Sequence, residues 1–166
     1  MSTDAITLLK EDHKAVKKLF REYYSLGQRA STERQRVMAR IIELLTIHTY
    51  LENEVMYPEV RRLLPALEDD ILESYEEHHV ADVLCAELGA MSSDDERFHA
   101  KATVLMENVT HHIAEEEQDW FPKVRQGLGR TELSQIGGRM IRARQDAPHS
   151  PAQPSALKKV ADTILR

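Results

Sequence analysis

Two stretches of the chain carry the same chemistry. Residues 48–58 read HTYLENEVMYP, and residues 112–122 read HIAEEEQDWFP. In each stretch a histidine is followed four positions later by a glutamate, and ten positions later by a proline that comes after an aromatic residue. Residues 11–16 (EDHKAV) and 76–81 (EEHHVA) form a second pair, in which two acidic residues precede a histidine. The two offsets, 64 and 65 positions, are nearly equal, so the chain is predicted to be a duplicated helical hairpin.

Hydrophobic spacing and turn residues predict four long helices. The first is expected over about residues 4–26, stopping at Gly27, and the third from after Pro65 to about Gly89. The second is expected over 31–58 and begins with Ser31 and Thr32, with Gln35 as in a capping box. The fourth is expected over 94–125 and begins with a capping box of Ser93 and Glu96. Short connections within the first and second pairs make each pair antiparallel. The predicted fold is all-α, an up-down-up-down four-helix bundle.

The bundle is expected to occupy residues 1–130, followed by an accessory helix over 131–145 that Thr131 caps. Residues 146–154 contain three prolines, so 146–166 are expected to form a linker and a short amphipathic segment from Ser155. From Arg139 onward, six Lys or Arg residues outnumber two Asp residues. This basic tail is expected either to lie on the acidic bundle or to stay in solvent.

Composition narrows the class of protein. The 166 residues are 42% hydrophobic and 30% charged, which suits one soluble domain. The net charge of −6 opposes broad binding to a phosphate backbone, so no nucleic-acid partner is expected. Cys85 is the single cysteine, and no signal peptide or apolar membrane span is recognisable. We therefore expect a cytoplasmic protein with no membrane partner, either a monomer or a weak homodimer.

The histidines and glutamates of the repeat predict a metal site. On an α-helix, residues four apart differ by roughly 40° and one turn, so His48 and Glu52 point to the same place. His48 also falls on the apolar stripe that includes Leu45 and Val55, which puts ionisable groups in the core. A buried, unpaired carboxylate costs several kcal/mol, on the order of the penalty for any uncompensated charge, and coordination to a cation removes that cost.

The same reasoning applied to all four helices gives a set of inward residues. The adjacent histidines of the third helix leave a choice between His78 and His79, and superposing the two repeats favours His78. The constant distance to the proline selects His112 over His111. Glu54, Glu115 and Glu117 are expected around the site or in solvent, and His99 and His149 on the surface. The predicted metal ligands are His13, His48, Glu52, His78, His112 and Glu116.

Ligand type and number suggest the metal. Four imidazoles and two carboxylates are too many for one tetrahedral zinc and too rich in nitrogen for magnesium or calcium. Two first-row ions sharing bridging carboxylates suit the set, and a non-haem di-iron centre is the preferred reading, with manganese or zinc as occupants in vitro. The ferritin-like alternative would use Glu76-x-x-His79 and Glu96-x-x-His99, but these pairs do not follow the repeat.

These motifs resemble those of the hemerythrin-like, or HHE cation-binding, proteins of the bacterial type. The resemblance covers about residues 4–125 and rests on Asp12-His13, His48-x-x-x-Glu52 with Tyr57-Pro58, Glu77-His78, and His112-x-x-x-Glu116 with Phe121-Pro122. It implies a bundle that binds two oxo-bridged irons through the six ligands named above. Family members include oxygen carriers, oxygen or iron sensors, iron-repair proteins and proteins that react with peroxide or nitric oxide.

One departure from the oxygen carriers bears on function. Those proteins have a second histidine four residues after the first on the third helix, and here that position is Asp82. The resemblance then implies an open position on each iron, unless Asp82 or Tyr75 fills one of them. Open positions favour reaction with hydrogen peroxide, nitric oxide or dioxygen, including catalase- or peroxidase-like turnover, over reversible carriage. The alternatives are a module that binds, senses or stores oxygen or iron, and a structural role with an incidental metal.

Overall fold

The computed structural model describes residues 3–27 and 29–151, and all the regular structure in these ranges is helical. Four long helices form the bundle: α1 (Ala5–Ser25), α2 (Ser31–Leu51), α4 (Glu68–Ala90) and α5 (Phe98–Glu115). The shorter helices are α3 (Tyr57–Leu63), α6 (Phe121–Gly127) and the accessory helix α7 (Arg130–Ala143). The pairs α1 with α2 and α4 with α5 pack most extensively, as short connections require. The predicted all-α four-helix bundle with an extra helix is confirmed.

The core consists of two apolar clusters that lie one above the other along the bundle. One surrounds Val16 and Leu45 near the short connections, and the other surrounds Leu9 and Leu51 beneath α7. His13 lies between Leu9 and Val16 in the chain, and His48 lies between Leu45 and Leu51. The helices therefore deliver their histidines to a layer between the two clusters, away from solvent.

Two predicted helices are interrupted where the structure departs from α geometry. A five-residue π-helical turn (Glu52–Met56) follows α2, and a second one (Glu116–Trp120) follows α5. Each precedes a proline, Pro58 or Pro122, at the second residue of α3 or α6. Proline has no N–H to bond the carbonyl one turn earlier and its ring crowds that carbonyl, so the helix widens there. The prediction of unbroken α-helices over 31–58 and 94–125 was wrong at these turns.

Three predicted helix caps were also wrong. The helix α2 begins after Ala30 with no side-chain cap, so Ser31 and Thr32 do not form the expected capping box. The helix α5 begins at Phe98, because the Ser92 and Asp95 carbonyls bond backbone N–H groups in tight turns before it. The accessory helix begins after Gly129, two residues earlier than a Thr131 cap allows, and continues as a 3₁₀ turn, Arg144–Asp146.

The predicted amphipathic segment from Ser155 lies outside the described residues. Among the residues that the structure describes, none of the helices combines the length and the apolar character needed to cross a membrane.

Candidate metal centre

Six side chains from both halves of the molecule converge between the two core clusters. Each is buried, with at most 6% of its surface exposed. The long helices contribute one histidine each, and the two π turns each begin with a glutamate. They are His13, His48, His78, His112, Glu52 and Glu116. The structure thus brings together all six residues predicted from the sequence.

One group of ligand atoms is formed by His13, His48 and both glutamates. Its donor atoms all lie within 4.8 Å of one another. His13 Nε2 is 3.2 Å from Glu116 Oε2, and His48 Nε2 is 3.2 Å from Glu52 Oε2. We refer to this group as position 1.

A second group shares a carboxylate with the first. Its donor atoms come from Glu52, His78 and His112 and again lie within 4.8 Å of one another. His78 Nε2 is 3.1 Å from Glu52 Oε2, and His112 Nε2 is 3.5 Å from Glu116 Oε1. We refer to this group as position 2. Since Glu116 directs one oxygen to each group and Glu52 belongs to both, the two carboxylates connect the positions.

The polar atoms at the centre suit cations. His13 Nε2, His48 Nε2, Glu52 Oε1 and Glu116 Oε2 are buried and lack a hydrogen bond of acceptable geometry. Buried polar atoms without partners are rare because each costs about 1–3 kcal/mol. The Nε2 atoms of His78 and His112 face each other at 3.1 Å. Lone pairs that converge in this way are satisfied by metal ions, so the residues present fit a two-metal centre.

The outward nitrogen of every inner histidine also has a partner. The Nδ1 atom lies 2.8 Å from Glu117 Oε1 in His13 and 3.3 Å from Asp12 Oδ2 in His48. The corresponding partner of His78 is Asn53 Oδ1 at 2.7 Å, and that of His112 is a carboxylate oxygen of Glu77. An acceptor at Nδ1 places the proton there and turns the Nε2 lone pair toward the centre, as in many metal sites.

The charges of the site perturb its own titrations. Burial opposes charge on His48, but the adjacent Glu52 and Asp12 carboxylates raise its pKa well above the usual value. Burial likewise opposes charge on His112, yet Glu116 and Glu77 raise its pKa to about 9. Burial alone would raise the pKa of Glu52, but His48 and His78 hold it well below the usual range. The Glu52 carboxylate is therefore ionised, and in the metal-free fold His48 and His112 hold protons that a metal would displace.

The π turns bring an aromatic residue beside each half of the centre. The Tyr57 N–H bonds to the Glu52 carbonyl and the Phe121 N–H to the Glu116 carbonyl, five residues earlier in each case. In an unbroken α-helix, side chains five apart would differ by roughly 140°, so Tyr57 would point away from the site. With the wider turn, Tyr57 stacks on His78 and Phe121 stacks on His13, with ring centroids 5.3 Å and 5.8 Å apart.

The Tyr57 hydroxyl reaches position 2. It donates to Glu116 Oε1 at 2.9 Å and lies 3.4 Å from Glu52 Oε2 and 3.3 Å from His78 Nε2. Burial, and then the Glu116 and Glu52 carboxylates, raise the pKa of this phenol well above its usual value. Tyr57 belongs to the sequence motif, but no role at the metal was predicted for it. The sequence signal was the position of Tyr57 after Glu52. The Tyr57 side chain points toward the site only because the π turn lies between these two residues.

The residues proposed to fill an open position lie farther out. The Tyr75 hydroxyl donates to the Asn53 carbonyl at 3.3 Å, and its ring packs edge-on against Tyr57. Asp82 is half-buried one turn after His78, and burial raises its pKa. Neither residue belongs to position 1 or to position 2. Their roles around the metals stay predictions.

The remaining histidines lie outside the two positions. His79 is half-buried on α4 beside His78, and His111 pairs with Glu115 at 3.1 Å on the exposed face of α5. His99 stacks on Tyr23 in the distant cluster, and His149 contacts Glu43 at the surface. Glu54 is exposed, whereas Glu117, expected around the site or in solvent, contacts His13.

Three of the residues that contact the outward Nδ1 atoms of the histidines had no predicted role: Asp12, Asn53 and Glu77. The repeat contained a signal for them. Asp12 and Glu77 are 65 positions apart, and Asn53 and Glu117 are 64 positions apart, the same offsets as the ligands. Residues that keep the repeat offset and flank a ligand were therefore candidates for its hydrogen-bond partners.

A small apolar cavity adjoins the centre. It has a volume of about 20 Å³ and lies beside His13, His48, His78 and His112. Its other walls come from both hairpins and are mostly aliphatic: Val16, Leu45, Ala81, Val109 and Ile113. This space is comparable to one water-sized probe, which takes about 10–15 Å³. It suits a molecule of two or a few atoms.

Comparisons with known proteins agree with this geometry. The sequence profile of the hemerythrin HHE cation-binding domain matches residues 4–124. The crystal structure of a hemerythrin HHE cation-binding domain-containing protein from Mycobacterium kansasii superposes with a TM-score of 0.73 over 86% of each chain, at 22% identity, and shows the same fold. A curated relative, a DNA nickase of Nostoc sp. (strain PCC 7120 / SAG 25.82 / UTEX 2576), is 30% identical over 129 residues, which are 77% of this chain and 35% of the nickase.

Proposed function

Because this chain belongs to the hemerythrin HHE cation-binding family, we propose that its buried cluster holds two iron ions and that the protein reacts with hydrogen peroxide, nitric oxide or dioxygen. The observation that carries the proposal is the donor set itself. Four imidazoles and two carboxylates form two overlapping groups, and four of their buried donor atoms lack a hydrogen bond of acceptable geometry. Such a set is typical of non-haem iron, and manganese or zinc would fit it in vitro.

Each part of the site has a role in this function. A redox-active metal pair, when bound, exchanges electrons with a small oxidant. The outward carboxylates and Asn53 hold the imidazole rings in place, and Glu52 and Glu116 keep the two positions together. The Tyr57 hydroxyl occupies space on position 2, whereas Phe121 leaves the corresponding side of position 1 without a polar group.

The cavity supports a small, uncharged substrate. Apart from the four histidines its walls are mostly aliphatic, with Thr49, Glu77 and Asn108 as the polar exceptions, and its volume of about 20 Å³ accommodates only a few atoms. Dioxygen, nitric oxide and hydrogen peroxide all meet these conditions. With peroxide, the overall turnover would convert two molecules to two waters and one dioxygen.

A second candidate is a module that binds, senses or stores oxygen or iron without turnover. The near-complete burial of all six ligands favours it, because burial slows the loss of a bound ion and limits access by reductants. DNA nicking is outside the proposal. The chain spans about a third of the nickase, and its net charge of −6 disfavours binding along a phosphate backbone.

Anaerobic titration of the iron-loaded protein distinguishes the candidates. We expect about two irons per chain, decomposition of hydrogen peroxide with multiple turnovers by the ferric protein, and rapid air oxidation of the reduced protein. An optical spectrum that cycles reversibly with oxygen pressure, together with indifference to peroxide, would establish the binding module instead. One metal per chain would contradict the two-metal centre.

Cavity variants test whether this space admits the oxidant. Ala81→Val fills it and should slow reaction with peroxide several-fold, whereas Val109→Ala enlarges it and should not slow the reaction. Ala90→Val, on the exposed end of α4, is the matched control. Equal rates for all three variants, at equal iron content, would show that the substrate approaches by another route.

A further inference from the structure

Arg144, beyond the residues that the family profile matches, contacts the metal centre through one intermediate side chain. Its Nη2 atom donates to Asp12 Oδ1 at 3.0 Å and to Asp12 Oδ2 at 2.8 Å. Asp12 Oδ2 in turn lies 3.3 Å from Nδ1 of His48. Asp12 is 9% exposed and His48 3%, so this arginine–carboxylate–imidazole chain runs from the edge of the bundle to position 1.

The accessory helix α7 is held so that Arg144 arrives at Asp12. A Cβ atom added to Gly137 would lie 1.6 Å from the Thr3 carbonyl oxygen, so only glycine permits this close approach to the start of α1. Arg139 pairs with Glu59 of α3 at 2.8 Å. Two contacts on different faces thus position α7 before the 3₁₀ turn that carries Arg144.

The equivalent partner in the second half has no such cation. Glu77 holds His112 as Asp12 holds His48, but among the described residues no lysine or arginine forms an ion pair with Glu77. Its charged neighbours are instead His111 and Glu115. The carboxylate behind His48 is paired with an arginine whose Nη2 atom contacts both of its oxygens, and the carboxylate behind His112 has no such arginine.

We propose that Arg144 is a positioning residue that makes metal position 1 distinct from position 2. It fixes the Asp12 carboxylate, which fixes the His48 ring, and its charge withdraws electron density from the carboxylate that polarises that ring. The helix after the family domain thereby controls one of the two metal positions. This inference rests on the proposed two-metal centre, but it does not depend on which oxidant reacts there.

The test measures metal release from the iron-loaded protein to a ferrous chelator. We expect wild type to hold two irons, and Arg144→Gln to release one of them about tenfold faster, within the range for outer partners of metal ligands, while the other leaves at the wild-type rate. Arg144→Lys keeps the charge but replaces the planar guanidinium with an ammonium on a flexible chain, so its release rate should fall between. Arg142→Gln is the matched control, since it removes an exposed arginine from α7 without touching the Gly137 and Arg139 contacts that position this helix.

A double-mutant cycle with Asp12→Asn shows whether Arg144 acts through Asp12. We expect Arg144→Gln to have no further effect in the Asp12→Asn background. Circular dichroism of each variant checks that the bundle is intact, and Arg144→Lys serves if Arg144→Gln does not fold. Equal release rates in the Arg144 and Arg142 variants, or acceleration of both irons together, would overturn the inference. Fewer than two irons in wild type would overturn the proposed function as well.

Discussion

The two hairpins of this bundle are alike at the ligands and different around them. Each supplies two histidines, a glutamate at the start of a π turn, and carboxylate or amide partners for the outward nitrogens. Around that common set, Tyr57 in the first half corresponds to Phe121 in the second, and Asn53 corresponds to Glu117. Only the first half receives Arg144. The duplication therefore yields two metal positions with similar ligands and unequal surroundings.

The residues that repeat and those that do not are expected to affect different properties, the affinity for metal and the reactivity of the bound metal. In the proposed two-metal centre the ligands that repeat would hold both cations, since Glu52 belongs to both groups and Glu116 directs one oxygen to each. The residues that do not repeat determine how open and how electron-rich each position is. Tyr57 places a hydroxyl on position 2, whereas position 1 faces the Phe121 ring and the Arg144–Asp12 pair.

Removal of both metals should have the largest effect on the molecule. Without cations, four imidazoles and two carboxylates converge in the core without adequate partners, so the folded state loses the stabilisation that ligand binding provides. At free metal about 1,000 times the Kd, that stabilisation is about 4 kcal/mol per ion-binding step. Thermal and chemical unfolding with and without a chelator measure it, and equal midpoints would contradict the buried centre.

Substitution of the two glutamates tests whether the two halves contribute equally to metal binding. Glu52→Ala and Glu116→Ala should each reduce the metal content below one per chain, because each removes a ligand that both positions use. His111→Ala, on the exposed face of α5, is the control and should leave metal content unchanged. If one glutamate variant retained both metals, the halves would already differ at the ligands.

A pH series should show an intermediate effect. The pKa of His112 is raised to about 9 in the metal-free fold, above an ordinary value of 6.5, so its stabilising charge is fully present below about pH 6.5 and is lost as the pH rises through 9. Metal binding displaces that proton. We expect metal affinity to increase from pH 6.5 to 9, by at most about 1.4 kcal/mol per unit for each proton.

Calorimetric titrations in buffers of different ionisation enthalpy measure this proton release. The pKa of His48 is also raised well above the usual value, so the first half should contribute a proton of its own. A metal affinity that stays constant as the pH rises from 6.5 to 9 would show that neither imidazole is protonated before the metal binds.

Exchange of the aromatic pair should have the smallest effect on stability and a distinct effect on the spectrum. A bound cation lowers the pKa of an adjacent phenol, so the ferric protein should show a visible phenolate-to-iron charge-transfer band. Tyr57→Phe should abolish that band and cost about 1 kcal/mol of unfolding free energy for the lost hydroxyl contact. Phe121→Tyr should add an oxygen beside His13 and increase the absorbance. An unchanged spectrum in both variants would place Tyr57 outside the metal ligands.

The sequence sufficed for the bundle and for the convergence of six residues. Helical periodicity relates residues four apart in any α-helix, so His48 with Glu52, and His112 with Glu116, could be oriented without knowledge of their neighbours. The repeat then aligned the remaining histidines, and the choice of His78 over His79 followed from which one kept the apolar stripe. These inferences use only local geometry and one symmetry of the chain.

The π turns marked the limit of that reasoning. Beyond Glu52 the α periodicity no longer holds, and the inward direction of Tyr57 cannot be read from a spacing of 100° per residue. Pro58 and Pro122 were the visible signs, because a proline inside a helix requires the preceding turn to change. A helix prediction that runs through such a proline loses the orientation of every residue after it.

By itself, the sequence determined which residues face inward on each long helix, and hence that imidazoles and carboxylates meet in the core. Only the tertiary structure decided which side chains lie behind them: Glu117 of the second π turn behind His13, Asp12 of α1 behind His48, and Arg144 of the final turn behind Asp12. Periodicity concerns neighbours within one helix. Partners separated by 36 to 132 positions meet only when whole helices pack, so the inequality of the two metal positions arises from packing.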